Sequence, residues 1–301
     1  MTRPRIAVTL GDPRGIGPEV AARALADLDT AQWIVVGPDD LIADIPATAR
    51  VGVGRWQDGG QSSGRALRAG TLAGRAIETA THLAITGEVQ ALVTAPIEKH
   101  AIHLAGFPWP GHTEWLAHLA GDVDVAMMLA SDQLRVVLIT THVALRDVPA
   151  LLTQEAIIRT GRVTQHALRD WFGIQSPRLA LCALNPHAGE QGLFGDEEDR
   201  VLRPAAEALG AAGPLPADTV FVRAMRGEFD AVLAPYHDVG MTAIKVASFG
   251  SAVNVTLGLP FPRTSPDHGT ALDIAGRGVA DPSSMRAALE LAVQLAVRQS
   301  A

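Results

Sequence analysis

One cysteine stands among 301 residues. Cys182 lies in the apolar run LALCALN, so no disulfide can close within the chain and a cysteine-ligated zinc site is excluded. Any metal must then be held by His, Asp or Glu. An excess of positive charge is also lacking: Lys and Arg number 25 against 32 Asp and Glu, a formal net charge of −7. That balance gives no overall electrostatic reason to bind nucleic acid or an acidic membrane. The opening MTRPRIAVTLGDP enters a short strand-like run, too short for the apolar region of a signal peptide or for a membrane span, so a cytoplasmic location is expected. No internal repeat or low-complexity tract is found. Two nucleotide signatures are missing as well. GDPRGIGPE at 11–19 follows a strand and precedes a helix, but Gly11, Gly15 and Gly17 do not fit G-x-G-x-x-G, and no Gly-Lys-Ser/Thr follows as in a P-loop. Its glycines would still let backbone amides approach an anion at the helix start.

What is present is core. With 48% hydrophobic residues, a chain of this length can bury a large interior, and two lobes with a cleft are expected. Short apolar runs at Ile6–Leu10, Trp33–Val36, Ala91–Thr94, Val136–Ile139, Leu179–Leu184, Ala231–Leu233 and Ala252–Leu257 read as buried strands. Helical periodicity lies between them at Pro18–Leu28, Gly64–Ile85, Thr153–Trp171, Glu197–Leu209 and Pro282–Val297, with Pro18, Thr153 and Asp281 marking starts. The alternation predicts an α/β protein with a largely parallel sheet. The Gly- and Ser-rich stretch Gly52–Gly64 reads as an exposed connector, and AAGPLPAD at 211–218 as a turn.

Polar residues gather at strand ends, where α/β folds build their sites. His142 follows VVLITT, His187 follows LALCALNP, and His237 follows AVLAPY. They are too far apart in sequence for a local zinc finger, so only the tertiary fold or a dimer can bring them together. Three neutral imidazoles leave open positions on a divalent ion, which can hold a substrate hydroxyl and stabilise the alkoxide that precedes hydride departure. The alternative is that each is an ordinary loop or capping residue. Asp238 and Glu190 stand near enough in sequence to orient the rings. In GHTE at 111–114, His112 and Thr113 present donors near a helix start, suited to a carboxylate or phosphate; from sequence alone Thr113 reads first as that helix's N-cap, a role that can coexist with the other. The run KVASFGSAVNVTLGLPFPRTSPDHGTALDIAG places Lys245, Asn254, Arg263, Asp267 and His268 among glycines, and Lys, Arg and Asn together suit an anionic substrate.

Taken together, GDPRGIGPE, TAPIEKHAIHLAGFPWPGHTE, TTHVALRDV, LNPHAGEQGLFGDEE, YHDVGM and VNVTLGLPFPRTSPDHGTALDIAGRG resemble the 4-hydroxythreonine-4-phosphate dehydrogenase family over nearly the whole chain. The resemblance implies a two-lobed fold like that of isocitrate and isopropylmalate dehydrogenases, with mostly parallel sheets and an active-site cleft between lobes. It places residues 1–110 with 255–301 in a discontinuous first lobe, and 111–254 in a second lobe that carries a dimer interface. It implies that His142, His187 and His237 bind one divalent metal (zinc, magnesium or cobalt) with ligands from both subunits of a homodimer, and that Asp238 joins them in catalysis. His112, Thr113, Lys245, Asn254 and Arg263 are implied to contact substrate. The cofactor is NAD or NADP, with its contacts unassigned. The implied reaction oxidises the C3 hydroxyl of 4-phosphooxy-threonine and releases carbon dioxide, yielding an aminoketone phosphate for pyridoxal phosphate synthesis. Arg14, Val239 within YHDVGM, and a shortened stretch around 37–65 depart from the family pattern. They keep open the relatives that act on erythronate or threonate 4-phosphate or on a terephthalate cis-dihydrodiol. From other classes, a metal-assisted hydrolase, a phosphate-group transferase and a nonenzymatic binding protein are also weighed.

Overall fold

A computed structural model describes residues 3–56, 62–248 and 251–299. The chain divides into two compact units, Met1–Val123 with Leu259–Ala301, and Asp124–Gly258. The strands in chain order are β1 (Arg5–Thr9), β2 (Gln32–Gly37), β3 (Ala49–Gly52), β4 (Ala91–Thr94), β5 (Ala126–Ala130), β6 (Arg135–Leu138), β7 (Leu179–Cys182), β8 (Ala212–Leu215), β9 (Ala231–Ala234), β10 (Val253–Leu257) and β11 (Arg263–Pro266).

In the first unit the strands run β3-β2-β1-β4-β11, all pairs parallel. Residues 6–9 and all of β4 are buried. This continuous burial is why their sequences read as unbroken apolar runs: helices cover both faces of a parallel sheet. The helix Ser283–Gln299 supplies cover, burying Met285, Ala288, Leu289, Ala292, Leu295 and Ala296 at helical spacing, and Asp281 accepts from the Ser283 N–H at 2.9 Å at its start.

In the second unit the order is β10-β5-β6-β9-β7-β8. β10 with β5 and β5 with β6 are antiparallel, and the remaining pairs are parallel. The helix Gln154–Asp170 is capped by Thr153, whose hydroxyl accepts from the Ala156 N–H at 3.2 Å. Its buried stripe is closed by Gly161, where a Cβ would stand 2.4 Å from Leu209 Cδ1, so a glycine is needed for that close approach.

Several expectations shift. The lobe boundaries anticipated at 110/111 and 254/255 fall at 123/124 and 258/259. The helix His112–Leu119 stays with the first unit because Trp115 is fully buried there and meets Phe107 at 4.6 Å between ring centroids. The turn anticipated over 211–218 contains β8, which ends the strand order beside β7 and pairs with it across a register irregularity, the kind of edge position where a proline is tolerated. The preceding helix stops at Gly210, in the left-handed conformation. The connector anticipated over Gly52–Gly64 begins at the end of β3, and its residues 57–61 lie outside the described residues. No helix among the described residues is long and apolar enough to cross a membrane.

Candidate active site

The second unit carries the imidazoles. β6, β9 and β7 are neighbours and mutually parallel, so their carboxyl ends lie along one edge, and His142, His237 and His187 each follow one of them. His142 and His237 meet, with ring centroids 5.6 Å apart. They line a cavity of about 140 Å³ together with Thr141, Tyr236 and Asp238 and with the apolar Val143, Leu145 and Val148. His237 opens the helix His237–Ser248, and its Nδ1 lies 2.7 Å from Asp238 Oδ1. A proton on Nδ1 donated to that carboxylate leaves the Nε2 lone pair available to a metal, the arrangement usual for ligating histidines. Burial of the ring of Tyr236 raises its phenol above the ordinary range, helped by Cys182 and Asp238.

His187 stands apart from that pair. Among the described residues no group of three His, Cys, Asp or Glu side chains is placed to hold a metal ion, so one copy of the chain does not gather the three imidazoles. His187 is exposed and packs only loosely on Phe194, with centroids 6.4 Å apart. It begins a turn in which His187, Ala188, Gly189, Glu190 and Gln191 all have positive φ, from 42° to 81°. Four of these carry a Cβ, and the left-handed conformation costs about 1–2 kcal/mol for each such residue. Opposing that cost, Glu198 accepts from the Leu184 N–H at 3.0 Å, the Asn185 N–H at 2.7 Å and Asn185 Nδ2 at 2.9 Å. Each bond to a charged acceptor is worth about 1.5–3 kcal/mol. Glu190 is exposed within the turn, and no contact of it with the imidazole pair is seen.

Lys245 is exposed near the end of the His237–Ser248 helix. Asn254 lies on β10 opposite Leu129, and its Oδ1 is buried without a hydrogen-bond donor. A buried amide oxygen in that condition is a costly arrangement unless something supplies a donor.

The first unit carries Arg263, His112 and Thr113. Arg263 is 3% exposed on β11, and both its Nε and Nη2 reach Thr94 Oγ1 at the end of β4. Burial pulls the guanidinium down to about 9, opposed by Glu114, and it remains cationic at neutral pH. His112 is held well below the ordinary imidazole value by burial and then by the Arg263 charge, so its ring is neutral there, and its Nε2 is buried without a partner. A buried cation beside a neutral ring with an unused nitrogen suits an anionic oxygen. The helix begins at His112 with Gly111 as its cap, so Thr113 is the second helical residue and not the N-cap expected of it.

The glycines of GDPRGIGPE serve the chain itself. A Cβ on Gly11 would stand 2.1 Å from the Pro96 carbonyl oxygen and one on Gly15 would stand 2.8 Å from that of Thr270, while the Gly15 and Ile16 N–H groups donate to the Asp12 and Thr270 carbonyls. Sequence reasoning also missed the acid pair here. Arg14 donates to Asp12 through Nε at 3.0 Å and Nη2 at 2.6 Å, and to Glu98 at 3.3 Å. Glu98 in turn caps the helix Lys99–Leu104. The signal was available, since Glu98 precedes KHAIHL as an acid at a helix start. A cavity of about 520 Å³ lies beside Arg14, Gly15, Glu19, Leu272 and Gly276. Asp267 and His268 follow β11, where the Asp267 N–H donates to Ser284 Oγ and His268 Nδ1 contacts the Gly269 carbonyl. Cys182 is buried, its thiol pushed up to about 12 by burial and by Glu198, and it has no catalytic character.

Residues 39–292 match the family model described as pyridoxal phosphate biosynthetic protein PdxA. A 4-hydroxythreonine-4-phosphate dehydrogenase of Caulobacter vibrioides is 44% identical over 99% of both chains. A D-threonate 4-phosphate dehydrogenase of Salmonella typhimurium is 42% identical over 97% of this chain and 98% of its own. The crystal structure of a 4-hydroxythreonine-4-phosphate dehydrogenase from Klebsiella pneumoniae superposes with a TM-score of 0.88 at 41% identity, covering 98% of each chain. An isocitrate dehydrogenase from Methylococcus capsulatus, 13% identical with a TM-score of 0.50 over 100% of this chain and 87% of its own, shares the fold alone.

Proposed function

The chain belongs to the pyridoxal phosphate biosynthetic protein PdxA family, and from that premise we propose that it is a metal-dependent dehydrogenase acting on 4-phosphooxy-L-threonine. With NAD or NADP it removes hydride from the carbon bearing the C3 hydroxyl while the hydroxyl proton departs. The resulting β-keto acid loses carbon dioxide, and protonation of the remaining carbon gives 3-amino-2-oxopropyl phosphate for pyridoxal phosphate synthesis. The observation that carries this reading is the His142–His237 pair at the ends of neighbouring parallel strands, in a chain whose full-length relatives bear that enzyme's name.

Each side chain has a task its chemistry suits. Arg263 supplies the fixed cation for the phosphate, His112 an uncharged ring nitrogen, and Thr113 a hydroxyl at a helix start. Asn254 offers its buried carbonyl oxygen to a substrate donor, and Lys245 adds a second positive charge. The donor set fits a divalent cation in part: His142 and His237 supply two imidazoles, Asp238 fixes the tautomer of one, and His187 of a second copy completes the set in a homodimer. Zinc, magnesium or cobalt held there supplies Lewis acidity that stabilises negative charge developing on oxygen in both steps. A cytoplasmic setting suits a cofactor-using enzyme of this kind.

A second reading within the same chemistry takes D-threonate or D-erythronate 4-phosphate as substrate, favoured by the Salmonella relative's comparable identity and by Arg14, which is committed to Asp12 and Glu98. The test is NAD(P)H formation over a panel of 4-phosphooxy-L-threonine, D-threonate 4-phosphate, D-erythronate 4-phosphate and a terephthalate cis-dihydrodiol, with and without added divalent metal. The largest kcat/KM is expected for 4-phosphooxy-L-threonine; a larger one for another panel member reassigns the substrate. No reduced nucleotide with any of them rejects the dehydrogenase reading in favour of hydrolysis or phosphate transfer.

A further inference from the structure

A buried acid and two uncommon backbone forms meet behind His187. Glu198 is 1% exposed and is the first residue of the π-helical turn Glu198–Leu202, a rare form that is frequent at functional sites. Its oxygens gather the N–H groups of Leu184 and Asn185 and the Asn185 side-chain amide, just before the left-handed turn. Within that turn Gly189 comes so close that a Cβ would stand 3.0 Å from Glu198 Oε2. The carboxylate therefore meets the turn at its entrance and at its middle.

We infer that Glu198 is a positioning residue: by fixing Asn185 and backing Gly189 it holds the left-handed backbone that presents the His187 ring to a divalent cation. The need for a carboxylate follows from its three hydrogen-bond partners, which are all donors; the Asn185 amide among them also donates to Glu197 Oε2 at 2.8 Å. Glutamine would keep one accepting oxygen but turn an NH2 toward Asn185 Nδ2, a donor against a donor. Gly195 supports the same arrangement, because a Cβ there would stand 2.6 Å from Asn185 Nδ2. This inference rests on the reading of His187 as a metal ligand, and its test keeps the two apart.

The full chain would be compared with Glu198→Gln, with Glu198→Gln carrying Ala188→Gly and Gln191→Gly, and with His187→Ala. Two quantities are read without substrate: amide hydrogen exchange of residues 187–192 in the metal-free protein, and Co²⁺ affinity by calorimetry. Glu198→Gln should speed exchange of the turn about tenfold or more relative to the unit's core strands, and weaken Co²⁺ binding about 10- to 100-fold. The two glycines remove the side-chain penalty of the left-handed form and should recover part of the affinity. An acid that merely stabilises the core would lower Tm without that recovery. Unchanged exchange in Glu198→Gln overturns the inference, and so does faster exchange with no recovery on adding the glycines. Wild-type Co²⁺ affinity in His187→Ala would instead reject the ligand reading, while the exchange result still decides the role of Glu198.

Discussion

His237 Nδ1 sits 2.7 Å from Asp238 Oδ1, an imidazole and a carboxylate joined along the first turn of one helix. Asp238 is 87% exposed, so the contact adds little to stability, and its value lies in fixing which ring nitrogen is free. Asp238→Ala should therefore weaken metal binding about 10-fold or more while leaving Tm nearly unchanged. Metal titration beside a thermal melt checks both halves.

Arg263 and Thr94 form a second pair, with a buried guanidinium braced on one hydroxyl. Arg263→Lys keeps the charge but loses the planar fork. It should raise KM for a phosphorylated substrate about 10-fold or more, since a bond to a charged group is worth about 1.5–3 kcal/mol. An equal rise for a substrate without phosphate would contradict the anion-binding role.

His112 links this site to pH. Burial and the nearby Arg263 charge hold its folded pKa well below the ordinary 6.5. Above that value both folded and unfolded chains carry a neutral ring, and the stability is fully present. As pH falls through 6.5 the unfolded chain takes up a proton that the folded one refuses, so stability declines until the depressed folded pKa is reached. His112→Gln should flatten that part of the Tm-against-pH curve. A bound phosphate should raise the His112 pKa, so inorganic phosphate should protect more strongly at the acid end of the range.

Cys182 offers a control on the core. With its thiol raised to about 12 and buried, it should resist alkylation in the native protein at pH 8 and react once the chain is unfolded. Rapid labelling of the folded protein, read by mass spectrometry, would show that β7 is not packed as described.

Much of the fold was legible because parallel strands buried on both faces leave continuous apolar runs, as in Ala91–Thr94 and Leu179–Cys182. β11 was not legible: RTSP is polar in sequence yet wholly buried, its Thr264 hydroxyl satisfied by the Ala288 carbonyl. β8 was hidden behind Gly213 and Pro214, which mark a turn everywhere except at a sheet edge. The placement of His142 and His237 beyond neighbouring strands followed from their position after apolar runs. The left-handed turn at His187 could not be read, because four of its five residues are ones that avoid that conformation. The Arg14–Asp12–Glu98 network escaped because Glu98, 84 residues from Arg14, reaches the local Asp12–Arg14 pair only where the chain folds back.

The central claim is that two copies of this chain share each metal site, and mixing subunits tests it most directly. His142→Ala and His187→Ala proteins, each inactive alone, would be unfolded together, refolded and assayed for NAD(P)H formation with added metal. If His142 and His237 of one copy act with His187 of the other, half of the dimers are mixed and each keeps one intact site, so about one quarter of wild-type activity should return. If all three ligands come from the same copy, every mixed dimer carries a lesion in both sites, and no recovery would contradict the account.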